Sequence, residues 1–280
     1  VAVFEVQTSD AQAISIGAPK FVEDSIINIL LSNKLAEIQD RKNLEKLQDE
    51  IKLAEISANN INSSGIKSID FAIDGSISSV SFSSRFLPEV LNIDGSVFLQ
   101  DRYEYTARVQ GSIKIYSLPD LTVVENIFFL GTSVRTENAP SSGLRTRDFK
   151  FSAPTKPKAF DAGLANDAVK NAIRNNEYKI KAAFAKTGYI MEKRTLQDKS
   201  IFLINIGKND GIKQEDKIDI FQKYTETNPL TGKVETHTRL VTKATVSDRI
   251  EDGKAWVVVQ DQNLSTAIKL GDIAKITYTK

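Results

Sequence analysis

The stretch from Tyr103 to Val134 constrains the fold of this 280-residue chain more than any other. From Tyr103 to Tyr116 apolar and polar side chains alternate, the chain turns at Leu118-Pro119-Asp120, and alternation resumes from Val123 to Val134. A period of two sends successive side chains to opposite faces of a strand. Two such runs about a turn predict a long antiparallel hairpin. A sheet built on that hairpin buries one face only if other elements cover it, so helices are sought in the flanking sequence.

Val1 to Val6 reads as a short buried strand, and Gly17 and Pro19 suit a helix entrance. The apolar residues from Phe21 to Leu35 recur at helical spacing and predict a first helix. Ala36 to Gln39 reads as a second short strand, and Asp40 can cap a helix whose Leu44, Leu47 and Ile51 share one face. Ile69 to Phe82 alternates with one change of register near Gly75, which predicts a strand with a bulge. From Arg85 to Gln100 the pattern weakens around Pro88, leaving a loop, an extended edge or an inserted hairpin. Ala159 to Lys186 predicts a long helix, with Gly188 placed to cap its C-terminus.

Beyond Tyr189 the composition turns to short, regularly spaced strands at Ser200–Ile206, Lys217–Tyr224, Val234–Ser247, Lys254–Gln260 and Asp272–Tyr278, the pattern of a small barrel. We therefore expect two domains, an α/β (α+β) domain over residues 1–190 with insertions near 83–101 and 135–158, and a small β-barrel over residues 196–280. Within the barrel, Gly211-Ile212-Lys213 leading through Asp216 to Ile220 echoes Ala267-Ile268-Lys269 leading through Asp272 to Ile276. Turn chemistry reused at barrel ends accounts for such an echo without a duplication.

Composition narrows the function. Thirty-seven basic and thirty-six acidic residues give a net charge of +1, so no global field holds a polyanion and nucleic acid is not expected as a partner. The absence of cysteine removes disulfides, thiolate metal sites and cysteine nucleophiles. No run approaches the roughly 18 to 20 apolar residues of a membrane-spanning helix. Val1 stands inside an apolar run without a preceding Met, which leads us to expect an upstream leader, including one ending at a lipidated cysteine.

Chemistry-bearing patterns are sparse. His237 is the single histidine and sits among alternating polar residues, where an exposed strand position explains it. Asn228 to Lys233 ends in Gly-Lys but lacks the earlier glycine of a phosphate loop and reads as a hairpin turn. Gly207 to Gly211 reads as a strand-connecting turn, although two glycines also expose N–H groups to an anion. Asp70, Asp74 and Asp94 are too scattered for a calcium loop or an acid–base pair. We expect no catalytic, cofactor-binding or metal-binding residue, hence no cofactor and no enzyme.

Two stretches instead suggest contact surfaces. Residues 135–158 carry Arg145 and Arg147 among further cations, with Phe149 and Phe151 interleaved, as in an arm that reaches across a neighbouring subunit or lies on an acidic surface; a solvated hairpin accounts for the same residues equally well. Phe82 to Gln100 supplies Phe86 and Leu87 as a second apolar contact, with an alternation too poor for a membrane hairpin.

The element order up to Gly188 resembles the bacterial CsgG family and its TolB-N-terminal-like relatives. The likeness is carried by Val1-Ala2-Val3-Phe4-Glu5, by Ile38-Gln39-Asp40-Arg41-Lys42-Asn43-Leu44-Glu45-Lys46-Leu47, by Ile69 to Ile77 with its Gly75-Ser76 step, and by Ile115 to Val124, whose turn departs from the usual Asp-x-x-Thr-Gly. Asn205-Ile206-Gly207-Lys208-Asn209-Asp210-Gly211-Ile212-Lys213 resembles the SH3-like domain that ends the flagellar ring protein FlgT. The resemblance implies a periplasmic or outer-membrane-associated protein. Its expected partners are copies of itself and other envelope-complex proteins, as in a flagellar basal-body ring or a type IV secretion outer-membrane complex of the Dot/Icm kind. An alternative it implies is a periplasmic lipoprotein that binds and activates a peptidoglycan synthase.

Overall fold

The computed structural model describes residues 1–40, 70–93, 95, 97–118, 120–139, 156–196, 199–227, 229–230 and 232–279. The fold is mixed α/β with more strand than helix. Two compact units divide it, one of Val1–Ile26 with Gln39–Asn176 and one of Ile27–Ile38 with Glu177–Lys280.

The first unit is an open five-stranded sheet. Its strands are β1 (Ala2–Val3), β2 (Gln39–Asp40), β3 (Phe71–Leu87), β6 (Arg102–Ser117) and β7 (Thr122–Asn138), in the order β2-β1-β3-β6-β7. Between β3 and β6 a separate pair, β4 (Val90–Leu91) and β5 (Val97–Leu99), forms a small hairpin. β1 runs parallel to β2 and β3, while β3, β6 and β7 are antiparallel. β6 and β7 make the hairpin that the alternation predicts.

Strand β3 does not end at Phe82 but continues to Leu87, so Phe86 and Leu87 belong to the main sheet and not to an insertion. Its bulge falls between Ile77 and Ser79, after the predicted position. Gly75 has a different role, since a Cβ there would stand 2.9 Å from Val6 Cγ2.

Register sorts the sheet into two faces. Ile113, Val109 and Ala107 of β6 lie beside Ile127, Gly131 and Ser133 of β7, and Ile113, Val109 and Ile127 are fully buried. Each such Ile or Val contributes about 1.5–3 kcal/mol relative to an exposed position. Asp74, Ser76, Ser79 and Ser81 of β3 head the opposite rows, which continue through Lys114, Ser112, Gln110 and Arg108 of β6.

Helix α1 (Ala11–Ser15) lies between the strand predicted over Val1–Val6 and the helix predicted from Phe21, where no element is predicted; five residues are too few for a visible period. Asp10 caps it by accepting from Ala13 N at 2.9 Å, and its other oxygen accepts from Val80 N at 3.2 Å, fixing α1 to β3. α2 (Ala18–Ser32) buries Val22, Ile26 and Leu30, one residue per turn. The helix predicted after Asp40 lies outside the described residues.

α3 (Ala162–Ala183) is the long predicted helix. It packs on the edge strand β7 at Gly131, where a Cβ would run into the Ala168 carbonyl and lie 2.7 Å from Ala172 Cβ. Only glycine admits helix backbone this close. Asp161 caps α3, accepting from Leu164 N at 2.9 Å, and also accepts from Arg135 of β7 at 3.1 Å.

The second unit is a closed barrel of β8 (Thr187–Leu196), β9 (Lys199–Ile204), β10 (Lys217–Thr227), β11 (Val234–Ile250), β12 (Ala255–Val259) and β13 (Ile273–Thr277), ordered β10-β11-β12-β9-β8-β13. β8 is a strand the sequence reading misses. Gly188 is accordingly not a helix cap but a paired position within β8, opposite Ala274. Phe202, Ile204, Ile218, Ile220, Val257 and Ala274 fill the interior with no exposed surface.

The sequence echo in this unit extends to structure. Lys213 N donates to Asp216 Oδ2 at 2.7 Å, and Lys269 N to Asp272 Oδ2 at 2.8 Å. A 3-10 turn precedes each, at Lys208–Asp210 and at Gln262–Thr266. Exchanging β8, β9 and β10 for β11, β12 and β13 leaves the strand order unchanged. The pairs Phe202–Val257 and Asp219–Lys275 then lie on the exchange axis, at opposite walls. The echo is therefore an approximate two-fold symmetry of the barrel, more than shared turn chemistry.

Candidate interaction surfaces

Among the described residues β7 ends the sheet, and a strand at the end of a sheet presents N–H and C=O groups that another chain can pair with. α3 restricts that edge. It lies against Gly131, and Asn171 Nδ2 donates to Thr132 O at 3.0 Å, occupying a carbonyl that points away from β6. What β7 leaves free is a face. Phe128, Leu130 and Val134 alternate on the side away from α3 and are 71%, 59% and 55% exposed. Their neighbours on β6 are Ser112, Gln110 and Thr106, so the apolar side chains form a stripe along the margin of a polar surface.

The predicted contact residues are placed as follows. Phe86 stands edge-on to Tyr103, ring centroids 5.4 Å apart, and joins a run of aromatic contacts through Tyr105 and Phe82 to Phe160. It is half a core residue and half a surface one. Leu87 is half-buried beside it at the end of β3. Arg145, Arg147, Phe149 and Phe151 lie outside the described residues. At the margins of that stretch the charge is already paired. Lys158 Nζ donates to Glu137 at 2.7 Å, and Arg135 bridges Asp161 at 3.1 Å and Asp167 at 3.7 Å. These cations fasten β7 to the start of α3 and are not offered outward.

Electrostatics follow from these contacts. The Asp161 carboxyl is held below its ordinary range, chiefly by the Leu164 N–H, with Arg135 and Lys158 adding to it. Asp74 is pushed up by burial, against the opposing influence of Lys114 and the Gly75 N–H. Tyr278 is pushed up to about 12 by burial and by nearby Asp216.

In the barrel unit, β10 and β11 continue past the closed wall as a two-stranded arm, from Gln222–Arg239 to Thr227–Val234. Tyr224 and Val234 are exposed along it, and Leu230 is fully exposed at its turn. His237 pairs with Tyr224 across the arm, 5.6 Å between ring centroids, and Pro229 and Leu230 stand in the turn between its two strands. At Gly207–Gly211, Asp210 Oδ2 already accepts from Gly207 N at 2.9 Å, so a carboxylate of the chain fills the place an anion would take. Gly211 adopts φ +84° with the Asn33 carbonyl against it, a site that only glycine fits.

The sequence reading misses the outer wall of the barrel. Trp256, the single tryptophan, lies on β12 beside Leu203 of β9, and the Arg194 guanidinium of β8 sits 4.7 Å from its ring centroid. Glu192 accepts from Arg194 Nε at 2.6 Å and fixes it there. A groove of about 470 Å³ opens between this pair and the β11–β12 turn. A second groove, about 570 Å³, lies beside the end of β1, where Lys20 is already engaged by Glu23 at 3.1 Å and Asp24 at 2.9 Å. Among the described residues no three His, Asp or Glu side chains gather as a metal site would require. No described helix is long and apolar enough to cross a membrane.

No known family model matches the chain, and no curated protein is significantly similar to it in sequence.

Proposed function

We propose that this protein is a structural subunit of a large bacterial cell-envelope assembly, a flagellar basal-body ring or a type IV secretion outer-membrane complex such as the Dot/Icm type. It works through protein–protein contacts in the periplasm or at the outer membrane. The observation that carries the reading is the stripe of Phe128, Leu130 and Val134 on the open face of the sheet. Apolar side chains aligned on a rigid strand are a feature of surfaces that another protein covers. A sheet-based unit followed by a small closed barrel also accords with the CsgG-like and SH3-like resemblance and its domain order. In this reading the sheet face packs on a neighbouring subunit and the barrel docks a further component; no residue is assigned a catalytic step.

A photo-crosslinking residue placed at Phe128 or Leu130 in cells tests it. The reading expects discrete protein adducts from these positions and none from Ser81, which lies across the polar part of the same face. Equal labelling at all three, or no adduct at any, contradicts it.

A further inference from the structure

We infer that the outer wall of the barrel around Trp256 is a self-association surface that pairs two copies of this chain about a two-fold axis. The inference deepens the proposed assembly role, on which it rests, by naming one homotypic contact. Three features carry it.

The first is the floor. Phe202 and Val257 point inward and are fully buried, so Ile201 and Leu203 of β9 and Trp256 and Val258 of β12 point outward as neighbours. Val258 is exposed and the other three are half-buried. Trp and Arg are the residue types most enriched where binding energy concentrates, and Arg194 is held over Trp256 before any partner arrives.

The second is the rim. Asp248, Arg249, Glu251 and Lys254 line the groove, two of each sign. None forms an ion pair among the described residues, whereas Arg194 is engaged by Glu192. A rim of one sign would select a partner of the other. A rim with two charges of each sign can be complementary to itself, because an isologous contact lets the acids of one copy face the bases of the next and the reverse.

The third is a preformed projection beside the groove. The turn from Glu251 to Lys254 is closed by Glu251 N donating to Lys254 O at 2.8 Å. It is held from behind by Lys208 N on Glu251 O and Asn209 N on Asp252 O, both at 2.9 Å. At its tip, Gly253 has open space around it. A rigid projection next to a hollow lets each copy insert its turn into the other's groove, so little ordering accompanies association.

The single tryptophan supplies the readout. With the whole chain, the mass by sedimentation is expected to rise from monomer to dimer with concentration, and the Trp256 emission to shift to the blue over the same range. Arg249→Glu with Lys254→Glu, and separately Asp248→Lys with Glu251→Lys, are each expected to weaken self-association at least tenfold. Mixing the two variants one to one restores a dimer containing one of each. Trp256→Ala, checked for an unchanged circular dichroism spectrum, is expected to weaken association to a similar degree. The inference is overturned by a wild-type chain that stays monomeric at every concentration, or by association that leaves Trp256 emission unchanged. It is equally overturned by charge variants that associate like wild type or fail to rescue each other. Association into large particles with Trp256 still solvent-exposed overturns this contact alone and leaves the assembly reading standing.

Discussion

The open sheet and the closed barrel face the same difficulty, unpaired backbone at the margin of a sheet, and meet it differently. The barrel removes its margin by joining β10 to β13, so its stability is contained in its own interior. The sheet keeps a margin at β7 and depends on α3 to guard it, through the close approach at Gly131, the Asn171 side chain on Thr132 O and the Asp161 cluster. Closure makes the barrel a self-sufficient body; guarding one face leaves the sheet with another face free, and that face carries Phe128, Leu130 and Val134. Where the backbone is satisfied without closure, side chains become available for contact.

Four substitutions break or sharpen this contrast. Phe202→Ala empties the centre of the barrel and is expected to cost about 3–5 kcal/mol in urea unfolding. Hydrogen exchange should show the loss in β8 to β13 while β3, β6 and β7 keep their protection. Gly131→Val drives a side chain into α3, with an expected cost of about 1–3 kcal/mol. Here exchange should rise first in β7 and α3 and the barrel should stay protected. If exchange instead rises uniformly in both variants, the two units do not hold themselves together by separate means.

Asp161→Ala removes the cap of α3 and the partner of Arg135, with an expected loss of about 1 kcal/mol at neutral pH. Because the folded carboxyl titrates below its unfolded value, its contribution is present above that value and disappears as pH falls through the folded one. The difference between wild type and variant should therefore shrink on acidification. Asp74→Asn has the smallest expected effect and the opposite sign. Burial favours the protonated form, so stability from this group is complete below its unfolded value and lost as pH rises through the raised folded one. The variant should match or exceed wild type at neutral pH, and denaturation series across the acid range separate the two carboxyls.

Much of this fold is legible in the sequence where a single period governs many residues. The β6–β7 hairpin and α3 are read directly because their patterns persist over 16 to 22 residues. β8 escapes because it follows the helix at once and carries Glu192, Lys193 and Arg194 in succession, although Ile190 is fully buried. Gly188 then looks like a helix cap, although it lies in the strand, where a Cβ would crowd the side chains of Asn205 and Ile206. The surfaces are harder to read than the elements. Ile127-Phe128-Phe129-Leu130 is apolar on both faces, so the alternation read from Val123 to Val134 does not tell which of the two faces is left uncovered. Arg194 and Trp256 meet only because β9 lies between β8 and β12 in the barrel, a non-local adjacency that no local pattern encodes.

The most direct measurement is the mass of the native particle containing this chain, recovered from cells without denaturant and compared with that of a Phe128→Ser, Leu130→Ser, Val134→Ser variant. Exposed positions of this kind change stability by no more than about 0.5 kcal/mol each, so the variant keeps its fold. The account predicts a multi-subunit particle for wild type and a chain that drops out of it for the variant. A wild-type chain recovered as a strict monomer, or a variant that assembles as wild type does, contradicts it.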